Sequence, residues 1–131
     1  MDGPNYPPLW WPIMAIVRQR GGFPLYEIKN GRYRRWGGMP EYVLKNQTVF
    51  IYGGLPEFVI QGNNVRFHGG PNAISFDGRN VRRSGSPVIA IVEGNQIRTP
   101  GGLPAYEIQG ELTRNELMGL LAILYGKMRR W

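Results

Sequence analysis

A sixteen-residue unit governs this chain. Residues 53–68, GGLPEFVIQGNNVRFH, recur in both directions without an insertion. Upstream stand GGFPLYEIKNGRYRRW (21–36) and GGMPEYVLKNQTVFIY (37–52). Downstream stand GGPNAISFDGRNVRRS (69–84), GSPVIAIVEGNQIRTP (85–100) and GGLPAYEIQGELTRNE (101–116). A fixed period of this length means one supersecondary element repeated, and it decides the fold class.

Positions within the unit are numbered one to sixteen. Positions ten and eleven read Asn30-Gly31, Asn46-Gln47, Gly62-Asn63, Gly78-Arg79, Gly94-Asn95 and Gly110-Glu111. Asn-Gly suits a type I′ hairpin turn, and Gly followed by a polar residue suits type II′. A two-residue turn there pairs nine with twelve, eight with thirteen, seven with fourteen and six with fifteen. The apolar pattern agrees. Position eight is Ile28, Leu44, Ile60, Phe76, Val92 and Ile108, and position thirteen is Tyr33, Val49, Val65, Val81 and Ile97. These pairs, with position six, form the expected core face. Positions seven and fourteen then face outward, and fourteen is arginine at Arg34, Arg66, Arg82 and Arg98. Opposite Arg34 the register places Glu27, an expected cross-strand ion pair. Gly-Gly-x-Pro between hairpins supplies positive φ and a missing N–H donor, as a corner between strands of four or five residues requires.

Both ends of the repeat are incomplete. Continued backwards, the period puts Val17 at thirteen and Arg18 at fourteen, after a first half too rich in proline to form a strand. The last unit has a first strand, but Thr113-Arg114-Asn115-Glu116 then reads as a capping box. Helical spacing follows at Leu117, Leu120, Leu121, Leu124 and Met128. Each end supplies what the other lacks. Residues 13–19 are therefore expected to pair with residues 105–109. The expected fold is all-β: 16-residue hairpin repeats in a closed pseudo-six-fold rosette or barrel, with one C-terminal α-helix. An open meander of the same hairpins is the alternative. The organisation is a single domain, with a Pro/Trp-rich arm at 1–12, hairpins at 13–112 and the helix at 113–128.

The phrases GSPVIAIVEGNQIR and GGLPAYEIQGELTR resemble the repeated G-x-P-V-A-Y-I-x-G-x-x-I-Y phrase of the four-fold β-flower proteins. Those are small bacterial domains of hairpin repeats around a central axis, generally without an assigned function. The resemblance implies the fold class. This chain departs from it in having about six units and arginine where tyrosine is usual.

Composition narrows the function classes. A formal charge of +7 favours acidic partners such as nucleic acid, anionic glycans or anionic lipid, or serves solubility alone. The absence of cysteine excludes disulfides and thiol catalysis. No stretch has the roughly 18–20 apolar residues of a membrane span. The N-terminus lacks a basic region before its apolar run, so it does not read as a signal peptide, and a cytoplasmic location is expected. His68 is the single histidine, no carboxylate pair has the spacing of an acid–base couple, and neither G-x-G-x-x-G nor G-K-[ST] occurs. No enzyme activity, metal or cofactor is expected.

Three surfaces remain as candidates. Arg18, Arg34, Arg66, Arg82 and Arg98 would recur at equivalent outward sites and bind anions bidentately, or form a solvated face. The unit 37–52 breaks the alternation with Val43 and Phe50 on that face beside Tyr52, which calls for a cover: the Trp10-Trp11 segment, the helix or a partner. The helix is apolar nearly all round. It either plugs the ring or presents Leu117, Leu121 and Leu124 to a protein partner, a second copy or a membrane interface, the last aided by Lys127, Arg129, Arg130 and Trp131. The leading functional expectation is a non-enzymatic structural or protein-interaction module of a larger assembly. A polyanion-binding module through the arginines is the alternative, and a lectin using Trp36, Tyr52 and His68 is the third.

Overall fold

A computed structural model describes residues 14–83 and 85–126. Twelve antiparallel strands form a closed barrel in simple up-and-down order. They are β1 (Met14–Gln19), β2 (Pro24–Lys29), β3 (Arg32–Arg35), β4 (Pro40–Lys45), β5 (Thr48–Ile51) and β6 (Pro56–Gln61). The second half comprises β7 (Asn64–Phe67), β8 (Asn72–Phe76), β9 (Asn80–Arg83), β10 (Val88–Glu93), β11 (Gln96–Arg98) and β12 (Pro104–Gln109). Helix α1 (Arg114–Leu121) follows and continues as a π-helical stretch, Ala122–Gly126.

The turns set the register as their chemistry requires. Asn30 and Gly31 both have positive φ, 52° and 75°, the type I′ signature; Gly62 and Gly94 lead their turns at 61° and 59°. In the first hairpin Tyr26 pairs with Arg35, Glu27 with Arg34, Ile28 with Tyr33 and Lys29 with Arg32. The seam between the chain's two ends repeats this register. Ile16 pairs with Gln109, Val17 with Ile108, Arg18 with Glu107 and Gln19 with Tyr106. The sixth hairpin is thus assembled from β12 and β1, and the ring closes.

Corners follow a second rule. There position thirteen pairs with six, but fourteen pairs with four, as in Tyr33–Tyr42 followed by Arg34–Pro40. The same slip occurs at Val17/Arg18, Val49/Phe50, Val65/Arg66 and Ile97/Arg98. Position five is the extra residue of a β-bulge. A bulge bends the strand and adds twist, so one per corner curves the sheet into a barrel.

A barrel of twelve strands has a circumference of about 60 Å before strand tilt widens it, or a radius near 9 Å. Inward side chains from opposite walls do not fill that space. A helix with its side chains is about 10 Å across, and the C-terminal helix occupies the axis. Met118, Leu120, Leu121, Ala122, Ile123 and Leu124 are buried against wall residues at positions six, eight and thirteen, including Tyr33, Val49, Phe58 and Ile60. A helix apolar on every side is what a barrel interior requires.

Three successive helix residues hold three successive hairpin turns. Glu116 Oε2 accepts the Gly31 N–H (3.0 Å), Asn115 Nδ2 donates to Asn46 O (3.3 Å), and Arg114 donates to Asn63 Oδ1 (2.8 Å). Glu116 Oε1 also closes the capping box with Thr113 N (3.0 Å), while Thr113 Oγ1 accepts from Glu116 N (3.1 Å). One carboxylate therefore caps the helix and fastens it to the wall. Deeper in, the Tyr33 phenol donates to Glu116 O (2.6 Å) and lies against Gly119, where a Cβ would run into the phenol oxygen.

Of the two expected roles of the helix, the plug is the one found, and the contact role of its leucines is corrected. Leu121 and Leu124 are buried within the barrel, and Leu117 is half-buried against the same core. A plug consumes these side chains, so among the described residues Leu117, Leu121 and Leu124 are not offered to a partner or a membrane. Its α-helical part ends at Leu121, and residues 127–131, with the basic cluster placed there, lie outside the described residues.

Candidate interaction surfaces

Strand alternation puts positions seven, nine and fourteen on the outer wall. Fourteen and nine of one hairpin are diagonal neighbours there, and this diagonal is used repeatedly. Arg66 Nε donates to Gln61 Oε1 (3.0 Å) and Arg98 Nε to Glu93 Oε1 (2.7 Å). Across the seam Arg18 Nε donates to Gln109 Oε1 (3.1 Å), so residues 91 apart repeat a contact made elsewhere by residues five apart. Where position nine is Lys45, the diagonal inverts: its ammonium stands over the Phe50 ring at 5.7 Å. Arg34 uses the directly opposite Glu27 instead. Among the described residues Arg82 has no such partner. Its diagonal neighbour Asp77 accepts the backbone N–H groups of Asn80 (2.7 Å) and Arg79 (2.9 Å). Those bonds hold the Asp77 carboxyl below its ordinary range.

Glu93 also pairs with Arg79 (2.5 Å), and the two guanidinium groups, Arg98 foremost, hold its carboxyl down to about 2. The five arginines thus occupy equivalent outward sites. They form a belt around a cylinder, with neighbouring members about 10 Å apart except across Phe50, where the step from Arg34 to Arg66 is about 20 Å. A straight polyanion alongside the barrel meets two or three at once; all are equidistant only from a plane across the barrel end.

The expected cover over Val43 and Phe50 is local. Phe50 pairs with Val43 on one side and Pro56 on the other and is half-buried under Lys45. The helix lies inside the wall and does not reach this face. Trp10 and Trp11 lie outside the described residues. Tyr52 is exposed at the adjoining corner.

The two mouths differ. At the turn end the helix start leaves a groove of about 710 Å³ lined by Asn30, Leu44, Asn46, Leu112, Thr113 and Arg114. At the corner end a cavity of about 580 Å³ is lined by Tyr26, Arg35, Glu41, Tyr42 and Ile123. Glu41 accepts from Tyr26 (2.9 Å) and Arg35 (3.0 Å), and the Arg35 guanidinium lies over the Tyr26 ring at 5.4 Å. Burial, and then the bond to Glu41, push the Tyr26 phenol well above its ordinary range. At neutral pH it donates a hydrogen bond and releases no proton.

The corner end also carries what sequence reasoning missed. Every position three lies at the tip of a corner, and all corners lie at one end because all hairpin turns lie at the other. Phe23 is 87% exposed, Leu55 76%, Met39 75% and Leu103 62%. Pro71 and Pro87 are the remaining two tips, both exposed. Corner backbones hold them out alike: Gly22, Gly38, Gly54 and Gly70 each donate N–H to the residue three earlier, at 2.8 to 3.0 Å. Just behind the tips Trp36 and Tyr52, at position sixteen, are about half exposed. Across the six hairpins, counting the seam hairpin as one, positions fourteen to sixteen and one to four carry eight arginines and no acidic residue. The signal for this rim was the x of Gly-Gly-x-Pro, apolar in a corner otherwise built from turn residues.

His68 is exposed at a corner beside Gly69. No cluster of three or more metal-ligating side chains occurs among the described residues, and no described helix is long and apolar enough to cross a membrane. The barrel wall is polar outside and apolar inside, the reverse of a membrane-spanning barrel. Comparison with family models, curated proteins and solved structures finds no match for this chain. The resemblance to the β-flower proteins therefore rests on the repeated phrase.

Proposed function

We infer that this chain is a non-enzymatic interaction module that engages its partner end-on, through the corner rim of the barrel. One observation carries the reading: four large apolar side chains, Phe23, Met39, Leu55 and Leu103, stand in solvent at one end of a barrel whose interior is already filled. Isolated exposed apolar residues are ordinary on protein surfaces, but their recurrence at one repeat position in one plane is not. Among the described residues the packed helix fills the barrel axis, and the titratable groups nearest the corner mouth are tied to one another as Tyr26, Glu41 and Arg35.

The test is whether the rim holds the protein in something larger. In whole extracts of its native source, membranes included, an epitope-tagged chain should sediment well beyond its own 14.9 kDa. Serine at Phe23, Met39, Leu55 and Leu103 should return it to the monomer position without moving its unfolding midpoint. Monomeric sedimentation of the unaltered chain overturns the reading.

A further inference from the structure

We propose that the partner of the corner rim is an anionic lipid surface. This rests on the end-on reading above and supplies the chemistry of the contact. Three observations favour a bilayer over a folded protein.

The apolar side chains are separate fingers, one to a corner, with glycines between them and about 10 Å from one corner to the next. A protein interface buries a contiguous, closely packed apolar centre. Lipid closes around separate fingers without needing a complementary shape.

The side chains are also ordered by depth along the barrel axis. Apolar tips at position three come first, then Trp36 and Tyr52 with Arg20 at position sixteen, then Arg35 and Arg83 at fifteen, about 3 Å behind the aromatics, and the five arginines of position fourteen, about 7 Å behind them. Hydrocarbon, interface and phosphate layers of a membrane call for that order, with aromatic rings at the boundary and guanidinium groups reaching the phosphates from behind.

Charge completes the match. The corner end carries eight arginines against four carboxylates at the same height, Glu27 opposite Arg34, Glu107 opposite Arg18, and Glu41 and Glu57 at position five, whereas positions nine to twelve at the opposite end set Lys29, Arg32, Lys45 and Arg79 against Asp77, Glu93 and Glu111. Eight positive charges against four negative leave +4 at the corner end, and four against three leave +1 at the turn end, so the positive excess lies toward the rim. A negatively charged leaflet orients the molecule rim-down, and basic residues within a Debye length of it each strengthen binding several-fold.

The chain has no cysteine, which permits labelling at single introduced sites. Leu55→Cys at a corner tip and Gln47→Cys at a hairpin turn would each carry an environment-sensitive nitrobenzoxadiazole dye. They would be mixed with vesicles of phosphatidylcholine alone or of phosphatidylcholine with phosphatidylglycerol. The expected result is a blue shift with brightening at Leu55→Cys on the mixed vesicles and no response at Gln47→Cys. Binding of the unaltered protein, read by co-sedimentation, should be about tenfold or more weaker on the neutral vesicles. The Arg82→Glu variant, at an arginine that makes no side-chain hydrogen bond among the described residues, should lower binding to the mixed vesicles several-fold. A silent Leu55→Cys, an equal response at both sites, or equal binding to both lipid compositions overturns the proposal. If vesicles fail while the four-serine variant still loses its large assembly in extracts, the lipid assignment falls and the end-on module stands.

Discussion

The two ends of the barrel are made from the same repeat and have been put to opposite uses. At the turn end, polar groups are spent inward: the hairpin turns accept or donate hydrogen bonds to Arg114, Asn115 and Glu116, and the helix is fastened there. At the corner end, apolar groups are spent outward, with Phe23, Met39, Leu55 and Leu103 in water. A folded chain minimising its own free energy alone has no reason for the second arrangement. The contrast separates residues that hold the structure from residues kept for a partner, although both sets include leucine.

That contrast can be broken most sharply with one substitution made twice. Leu121→Ala should cost about 2–5 kcal/mol, because it opens a cavity in the plug. Leu55→Ala should stay within about 0.5 kcal/mol, because the tip touches no core. Chemical denaturation of the two variants decides it, and similar losses would remove the distinction between the ends. The next largest effect is expected from Glu116→Ala, which removes the capping box's return bond to Thr113 N and leaves the Gly31 N–H without its partner, at about 2 kcal/mol. It should lower the unfolding midpoint without altering association through the rim. The smallest effect concerns the wall between the ends. Glu93 should titrate near 2 by carboxyl NMR, and Arg98→Ala should raise that value. Its folded pKa is depressed, so its contribution to stability is present above the ordinary carboxylate range and is lost as pH falls toward 2.

Much of the architecture was legible in the sequence because turn chemistry and alternation are local properties. Asn30-Gly31 and Gly62-Asn63 fix hairpin register without reference to the rest of the chain, and Glu27 was found opposite Arg34 for that reason. Closure was legible from two half-units that complete one another. The bulge at every corner was not, since it follows from how one hairpin leans on the next. The fate of Leu117, Leu121 and Leu124 depended on the width of the barrel, which is fixed by closing all twelve strands together. Neither the belt nor the rim could be separated from a generic basic surface until the chain was wrapped: Arg18 and Arg98 look alike in a repeat alignment, yet only curvature shows that no straight ligand touches every arginine. The apolar tips were readable at position three all along, but a corner's exposure is a tertiary fact.

The seam has a consequence for the order of folding. Five hairpins close over a handful of residues each, whereas the sixth joins Arg18 to Gln109, 91 positions apart. By loop-closure entropy alone, that pairing is roughly 2–3 kcal/mol harder to nucleate than an intact hairpin. On a ribosome the first eleven strands form a ribbon with two unpaired margins, which persists until β12 and the plug have emerged. Kinetic measurements should find hairpin contacts early in the transition state and seam contacts late. The interval before closure is when this molecule is most exposed to pairing with a neighbour.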